Sequence, residues 1–233
     1  MINTYNEGDL HAALKAWYAG AEGRMEVPVD GYIADVVRDE LLIEVQTRSF
    51  ASIKAKVTAL ADRHRVLLVY PIPSCKWIVR LPGNGAPISE RTRRRSPRRG
   101  TALDLFSELV SFPSLVKRDT FAVEIAFTHE DEMRTYDRRR GWRRKGWVIA
   151  ERRLLEVVDT LSLSSPRDFA PLIPDALPPR FTTVDVARAT GRSRRFGQQM
   201  AYCLREMGLI EAVGHHHRAV LYRRIDKESS DAT

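Results

Sequence analysis

The chain has 233 residues, enough to bury a full hydrophobic core in one or two domains. A formal net charge of +8 favours a polyanionic partner, nucleic acid before an acidic membrane. Two isolated cysteines, Cys75 and Cys203, argue against a disulfide framework or a zinc site, and the polar start MINTYNEGDLH is no signal peptide, so the expectation is a soluble cytoplasmic protein without a membrane span.

Asn6-Glu7-Gly8-Asp9 has the form of a helix start, with acids in the first turn. Leu10, Leu14, Trp17 and Tyr18 follow at helical spacing, a stripe suited to packing on a sheet, until Gly20 and Gly23 end it. Arg24–Val29 reads as a short strand carrying Glu26, and Asp30-Gly31 as a turn pair.

The next stretch, GYIADVVRDELLIEVQTRSFASIKAK (Gly31–Lys56), reads as a strand over Tyr32–Val37, a tight turn at Arg38-Asp39-Glu40, a strand over Leu41–Thr47 and a helix from about Ser52. Both strands are apolar, yet each has a carboxylate in its middle, Asp35 and Glu44. Alternation puts Glu44 and Gln46 on one side and Ile43 and Val45 on the other. A hairpin that sets Asp35 beside Glu44 gathers negative charge in apolar surroundings, which is costly unless a cation sits between them. A hard divalent ion takes such oxygens and keeps waters that can attack a phosphate. The plainer reading is an acid facing solvent, or Glu44 paired with Arg48 or Lys54.

In the second helix Ile53, Val57 and Leu60 form the buried stripe, and Lys54 and Lys56 lie off it. Arg65–Ile72 reads as an interior strand and Lys76–Leu81 as an edge strand. Pro82–Gly100 ends in ERTRRRSPRRG, where Arg91, Arg93, Arg94, Arg95, Arg98 and Arg99 repel one another. This is read as a mobile arm that orders on phosphate, or as an exposed solubilising loop. Leu103–Val110 reads as an amphipathic helix and Phe121–Phe127 as a strand.

A second basic cluster holds Arg134, Tyr136, Arg138, Arg139, Arg140, Trp142, Arg143, Arg144, Lys145 and Trp147. Aromatic faces can stack on bases while the cations neutralise phosphate; alternatively the tryptophans anchor a loop to the core. FAVEIAF and WVIAERRLLEVV flank it as the arms of a long hairpin. Ser165-Pro166 starts a short helix, and PLIPDALPPR (Pro171–Arg180) is the best linker.

The last segment gives a helix closed by Gly191, a second helix over Arg194–Met207, a strand after Gly208, a turn at His215–Arg218 and a return strand over Ala219–Arg224. Helix, turn, helix and hairpin over residues 178–226 resemble a winged helix-turn-helix domain. The resemblance implies that the second helix presents Arg192, Arg194, Arg195, Gln198 and Gln199 to a major groove, with Arg218 at the wing tip. Residues 227–233 are expected to be disordered.

At the other end, a helix, three strands with Asp35 and Glu44-Val45-Gln46 in place, a helix and a further strand resemble the PD-(D/E)XK nuclease superfamily. The resemblance implies an α/β fold over residues 1–175, with a mixed central sheet flanked by helices and basic insertions near 82–100 and 134–147. It implies that Asp35, Glu44 and the Val45 carbonyl hold Mg2+ or Mn2+, that Glu7 or Glu26 completes the outer shell, and that Gln46 stands where the superfamily usually has Lys. Lys54 or Lys56 would then supply the missing charge. The implied activity is metal-dependent endonucleolytic cleavage, with DNA as partner. A second reading is a nucleic-acid-binding protein that uses the nuclease fold as a platform without catalysis. A third is a docking subunit of a larger defence or repair assembly, and a homodimer is left open.

Overall fold

A computed structural model describes residues 9–83, 86–140 and 145–225. Glu7, Trp142, Arg143, Arg144 and the expected tail lie outside the described residues. The chain is a mixed α/β protein that divides into two compact units interleaved along the sequence. One takes its described residues from Met1–Thr47, Leu68–Thr101 and Glu124–Leu161, the other from Arg48–Leu67, Ala102–Val123 and Ser162–Thr233. The proline-rich stretch Pro171–Arg180 falls inside the second unit, where Ile173 and Leu177 are buried. No helix among the described residues is long and apolar enough to cross a membrane.

The first unit is built on a mixed sheet. The sheet's strands are β1 (Arg24–Val29), β2 (Tyr32–Arg38), β3 (Leu41–Val45), β4 (Arg65–Arg80), β5 (Thr92–Arg95), β6 (Phe121–Tyr136) and β7 (Trp147–Leu163), of which β4 and β6 begin, and β7 ends, in residues of the second unit. They run in the order β1-β2-β3-β4-β6-β7, with β5 also on β4. Asp30 and Gly31 both have positive φ, the geometry a two-residue hairpin turn requires. Helix α1 (Asp9–Ala19) lies on one face and buries Leu10, Leu14 and Tyr18. Trp17, expected in that stripe, is half exposed; Lys15 is the α1 side chain that turns inward instead.

Three strand boundaries differ from the sequence reading. Arg65–Ile72 and Lys76–Leu81 are parts of one strand, β4. Strand β6 continues past Phe127 through His129-Glu130-Asp131-Glu132. The arginine run is not wholly a mobile arm: Arg93, Arg94 and Arg95 belong to β5, paired antiparallel with Val79, Ile78 and Trp77. Repulsion is relieved because the side chains have different partners. Arg93 binds Asp131 at 2.9 Å and covers the Trp77 ring, while the Arg95 Nε–H donates to Cys75 Sγ.

The second unit contains α2 (Lys54–Ala61), α3 (Phe106–Leu109), α4 (Thr183–Thr190), α5 (Arg194–Met207) and the antiparallel hairpin of β8 (Ile210–His216) and β9 (Ala219–Arg224). Phe50 stacks on Phe112, and Phe106 meets Phe169 edge-on, in a core that also takes Phe196, Met200 and Leu204 from α5. Each such buried ring or aliphatic chain contributes about 2–3 kcal/mol. Thr182 and Asp185 cap α4 reciprocally, and Gly191 and Gly208 close α4 and α5 in the left-handed conformation. Cys203 is sealed against the Phe106 carbonyl, and burial pushes its thiol up to about 12.

Candidate active site

The strand registers set three acids in a row. Met25 pairs with Val36 and Val27 with Ala34, so Glu26 lies across from Asp35. Val36 pairs with Ile43, so the next step puts Asp35 across from Glu44. Residues directly opposite in a sheet share a face, so all three leave it on one side, while Ala34, Val36, Ile43 and Val45 fill the core on the other. The Val45 N–H donates to Asp35 Oδ2 at 2.8 Å, which ties the two strands together at the acids. Glu44 is 2% exposed, whereas Asp35 keeps a solvent-facing edge.

Helix α1 lies over this row. His11 Nε2 is 3.3 Å from Asp35 Oδ2, and one turn later Lys15 Nζ donates to Glu26 Oε1 at 3.0 Å. Glu26 has φ 56, a left-handed backbone inside a strand, unusual for a residue with a side chain. The sequence reading singled out Asp35, Glu44 and Glu26 but not Lys15, because a lysine on an amphipathic helix reads as solvated. Its i+4 spacing from His11 was the available signal.

Two carboxylates and the Val45 carbonyl are hard oxygen donors of the kind Mg2+ and Mn2+ accept, usually with several waters retained. By chemistry alone, then, the donor types suit such an ion. Among the described residues no group of three or more His, Cys, Asp and Glu side chains is arranged to hold one. Gln46 follows on β3's path, with its N–H donating to the Val69 carbonyl. Lys54 and Lys56 belong to the second unit, at the start of α2, Lys54 exposed and Lys56 half-buried.

A family model described as "Domain of unknown function (DUF8091)" matches residues 8–164, more than half of the chain. The chain belongs to this family. An "Uncharacterized protein" of Treponema pallidum (strain Nichols) is 31% identical over 225 residues, covering 96% of this chain and 87% of its own length. No solved structure matches. The DUF8091 match takes in α1, the acid row and the sheet strands, and the similarity to the Treponema protein runs on through α4, α5 and the hairpin.

The DUF8091 sheet holds a second group of acids that sequence reasoning passed over. Thr128, Glu130 and Glu132 share one face of β6 and are all buried. Glu130 takes a hydrogen bond from Thr128 and an ion pair from Arg152 at 2.7 Å; Glu132 takes Lys76 at 2.7 Å and Arg134 at 2.5 Å. Burial alone would raise the Glu132 carboxyl, but hydrogen bonds from Lys76 and Arg134, with their charges, bring it below the ordinary value of 4.5. A lowered folded-state value means that this pair stabilises the fold above the unfolded value and is lost as pH falls through the folded one. Glu132→Gln should therefore cost about 3 kcal/mol in urea unfolding at pH 7, and the gap to wild type should narrow below pH 4.5. A gap of equal size at pH 3 and pH 7 would contradict this.

Of the residues expected to meet nucleic acid, Arg93 and Arg95 are engaged within the sheet, and Arg94, Arg98 and Arg99 are exposed. Strand β6 ends in a turn where the Arg139 and Arg140 N–H groups donate to Asp137; both side chains, like Lys145, are exposed. Trp147 is 3% exposed and edge-on to Tyr136, so it anchors the hairpin. On α5 the side chains of Arg194, Arg195 and Gln198 are exposed, with Gln199 half-buried. Arg192, just before the helix, is held 2.5 Å from Asp104. Strand β8 carries His215 and His216, so the hairpin turns at His217-Arg218, with Arg218 exposed.

Proposed function

We propose that this chain is a metal-dependent phosphodiesterase acting on nucleic acid, with a restriction-endonuclease-like core and a winged helix-turn-helix. The observation that carries the reading is the placement of Asp35 and Glu44 on one face of adjacent strands, joined by the Val45 N–H. Supporting it are the cations of the same unit and the exposed Arg194, Arg195 and Gln198 of α5, the position from which such a helix enters a major groove.

Asp35, Glu44 and the Val45 carbonyl would hold Mg2+ or Mn2+, an ion that would supply Lewis-acid chemistry by lowering the pKa of a water and polarising a phosphate. His11 fixes the orientation of the Asp35 carboxylate. The Gln46 amide, two residues on from Glu44 along β3's path, would orient the attacking water. The Lys15 ammonium, beside Glu26, supplies the positive charge that Gln46 cannot, stabilising the oxygens of the transferring phosphoryl group.

Calorimetry with Mn2+ tests this. Wild type should bind about one ion per chain, and Asp35→Asn and Glu44→Gln should abolish the heat. A silent titration of the wild type would leave the second reading, a nucleic-acid-binding platform without catalysis; Gln46 at the usual lysine position favours that reading.

A further inference from the structure

The buried acids of β6 lie under a layer of cations for which the proposed chemistry has no use. Lys76 and Arg80 are four residues apart on β4 and share a face with Ile78, whose direct partner on β5 is Arg94. Lys76 pairs with Glu132, so Glu132, Glu130 and Arg134 belong to the same face, and Arg152 of β7 reaches it through Glu130. Four neighbouring strands thus contribute five cations to one sheet face, over two carboxylates. Glu124, further back on β6 with the same alternation, accepts from Tyr18 of α1 at 2.7 Å. The cations therefore lie on the α1 side of the sheet, the side that carries the Glu26–Asp35–Glu44 row.

These cations are of two kinds. Lys76, Arg134 and Arg152 are seated on Glu132 and Glu130, fixed in direction and still partly open to solvent. Arg80 and Arg94 have no ion pair among the described residues. Arg80 lies over the Trp147 ring at 4.8 Å, with a buried Nε that has no hydrogen-bond partner, and Arg94 is exposed. The two acids neutralise only part of the charge, and by fixing three long side chains they lower the ordering cost of binding. Strands about 4.8 Å apart spread the layer over roughly 15 Å in a row, the shape of a linear polyanion and not of a single phosphate.

We propose that this face, with Arg80 and Arg94 as its unpaired contacts, seats the phosphodiester backbone of a nucleic-acid strand. The assignment rests on the nucleic-acid reading above but not on hydrolysis, so it is tested in EDTA. Fluorescence anisotropy would follow binding of the full-length chain to a labelled 20-nucleotide single strand, and to its duplex, over a series of salt concentrations. The double variant Arg80→Gln/Arg94→Gln should bind the single strand about tenfold more weakly than wild type. The slope of log K against log salt should be shallower by about 1.4, the loss of two phosphate contacts. Arg38→Gln, at the β2–β3 turn, should match wild type. Because Arg80 packs on Trp147, Arg94→Gln alone repeats the test at an exposed position and should remove about half of the slope change. Unchanged affinity and slope in both variants would overturn the proposal. So would a defect confined to binding of phosphatidylserine vesicles or of an acidic peptide. Weakened binding in EDTA by a protein that never cleaves in Mg2+ would confirm this face and remove only the hydrolytic assignment.

Discussion

Asp35→Asn is expected to reduce Mg2+- or Mn2+-dependent cleavage of plasmid and single-stranded DNA by about a thousandfold or more, with the fold intact. Removing one group that stabilises transition-state charge typically costs a factor of about 100–1000, and disabling an ion that also generates the nucleophile costs more. The substitution is conservative where the structure needs it to be. Asn keeps an oxygen to accept the Val45 N–H that joins β2 to β3, so circular dichroism and thermal melting should match wild type. Glu44→Gln removes the charge at nearly constant volume from a position that is 2% exposed, and should lose activity to a similar extent. Lys15→Met should fall between these and wild type, with its loss in kcat, because the role proposed for the ammonium is to act on charge that develops only in the transition state. Variants that cut at the wild-type rate would show that the cleavage comes from a contaminant and would end the hydrolytic assignment.

How much of this was readable beforehand depends on whether the signal is local. The Asp30-Gly31 turn, the facing of Asp35 and Glu44, and α4 and α5 with their closing glycines all follow from residues within a few positions of one another. The third acid follows too, because the Asp30-Gly31 turn sets the register that brings Glu26 across from Asp35; its partner Lys15 does not, since it arrives from α1. The same gap explains β6. The strand read over Phe121–Phe127 stops short of His129-Glu130-Asp131-Glu132, because the cations that make its burial tolerable arrive from β4, β5, β6 and β7. The apolar Arg65–Ile72 and the more alternating Lys76–Leu81 read as two strands, whereas β4 runs through Pro73-Ser74-Cys75 without a break. Trp17 misleads in the opposite direction, since its size predicts burial while its position leaves it half exposed and Lys15 inside.

A second large effect is expected at Gly197, where α5 crosses α4. A Cβ built at this position would come 2.3 Å from the Thr183 carbonyl oxygen and 3.0 Å from the Ala187 nitrogen. Both are backbone atoms of α4, so no side-chain rotation relieves the clash and the helices must separate. Helix propensity works the other way, favouring Ala over Gly by about 1 kcal/mol in a helix interior. Overpacking costs about 1–3 kcal/mol, and separation also loosens Val186, Phe196 and Met200, so the steric term should win. Gly197→Ala should destabilise the protein by about 2 kcal/mol in urea unfolding, and Gly197→Val, which is bulkier and gains less propensity, by more. Gly191→Ala is the control: it has φ 63 but open space around its Cβ, so it should cost about 1 kcal/mol through backbone strain alone. Under the proposed function the change would also reach binding, because α4, fixed at its start by the Thr182–Asp185 cap, sets the pose of α5 with its exposed Arg194, Arg195 and Gln198. Gly197→Ala should therefore weaken duplex binding at temperatures where the protein is still folded. A variant as stable as wild type would contradict so close an approach of α4 and α5.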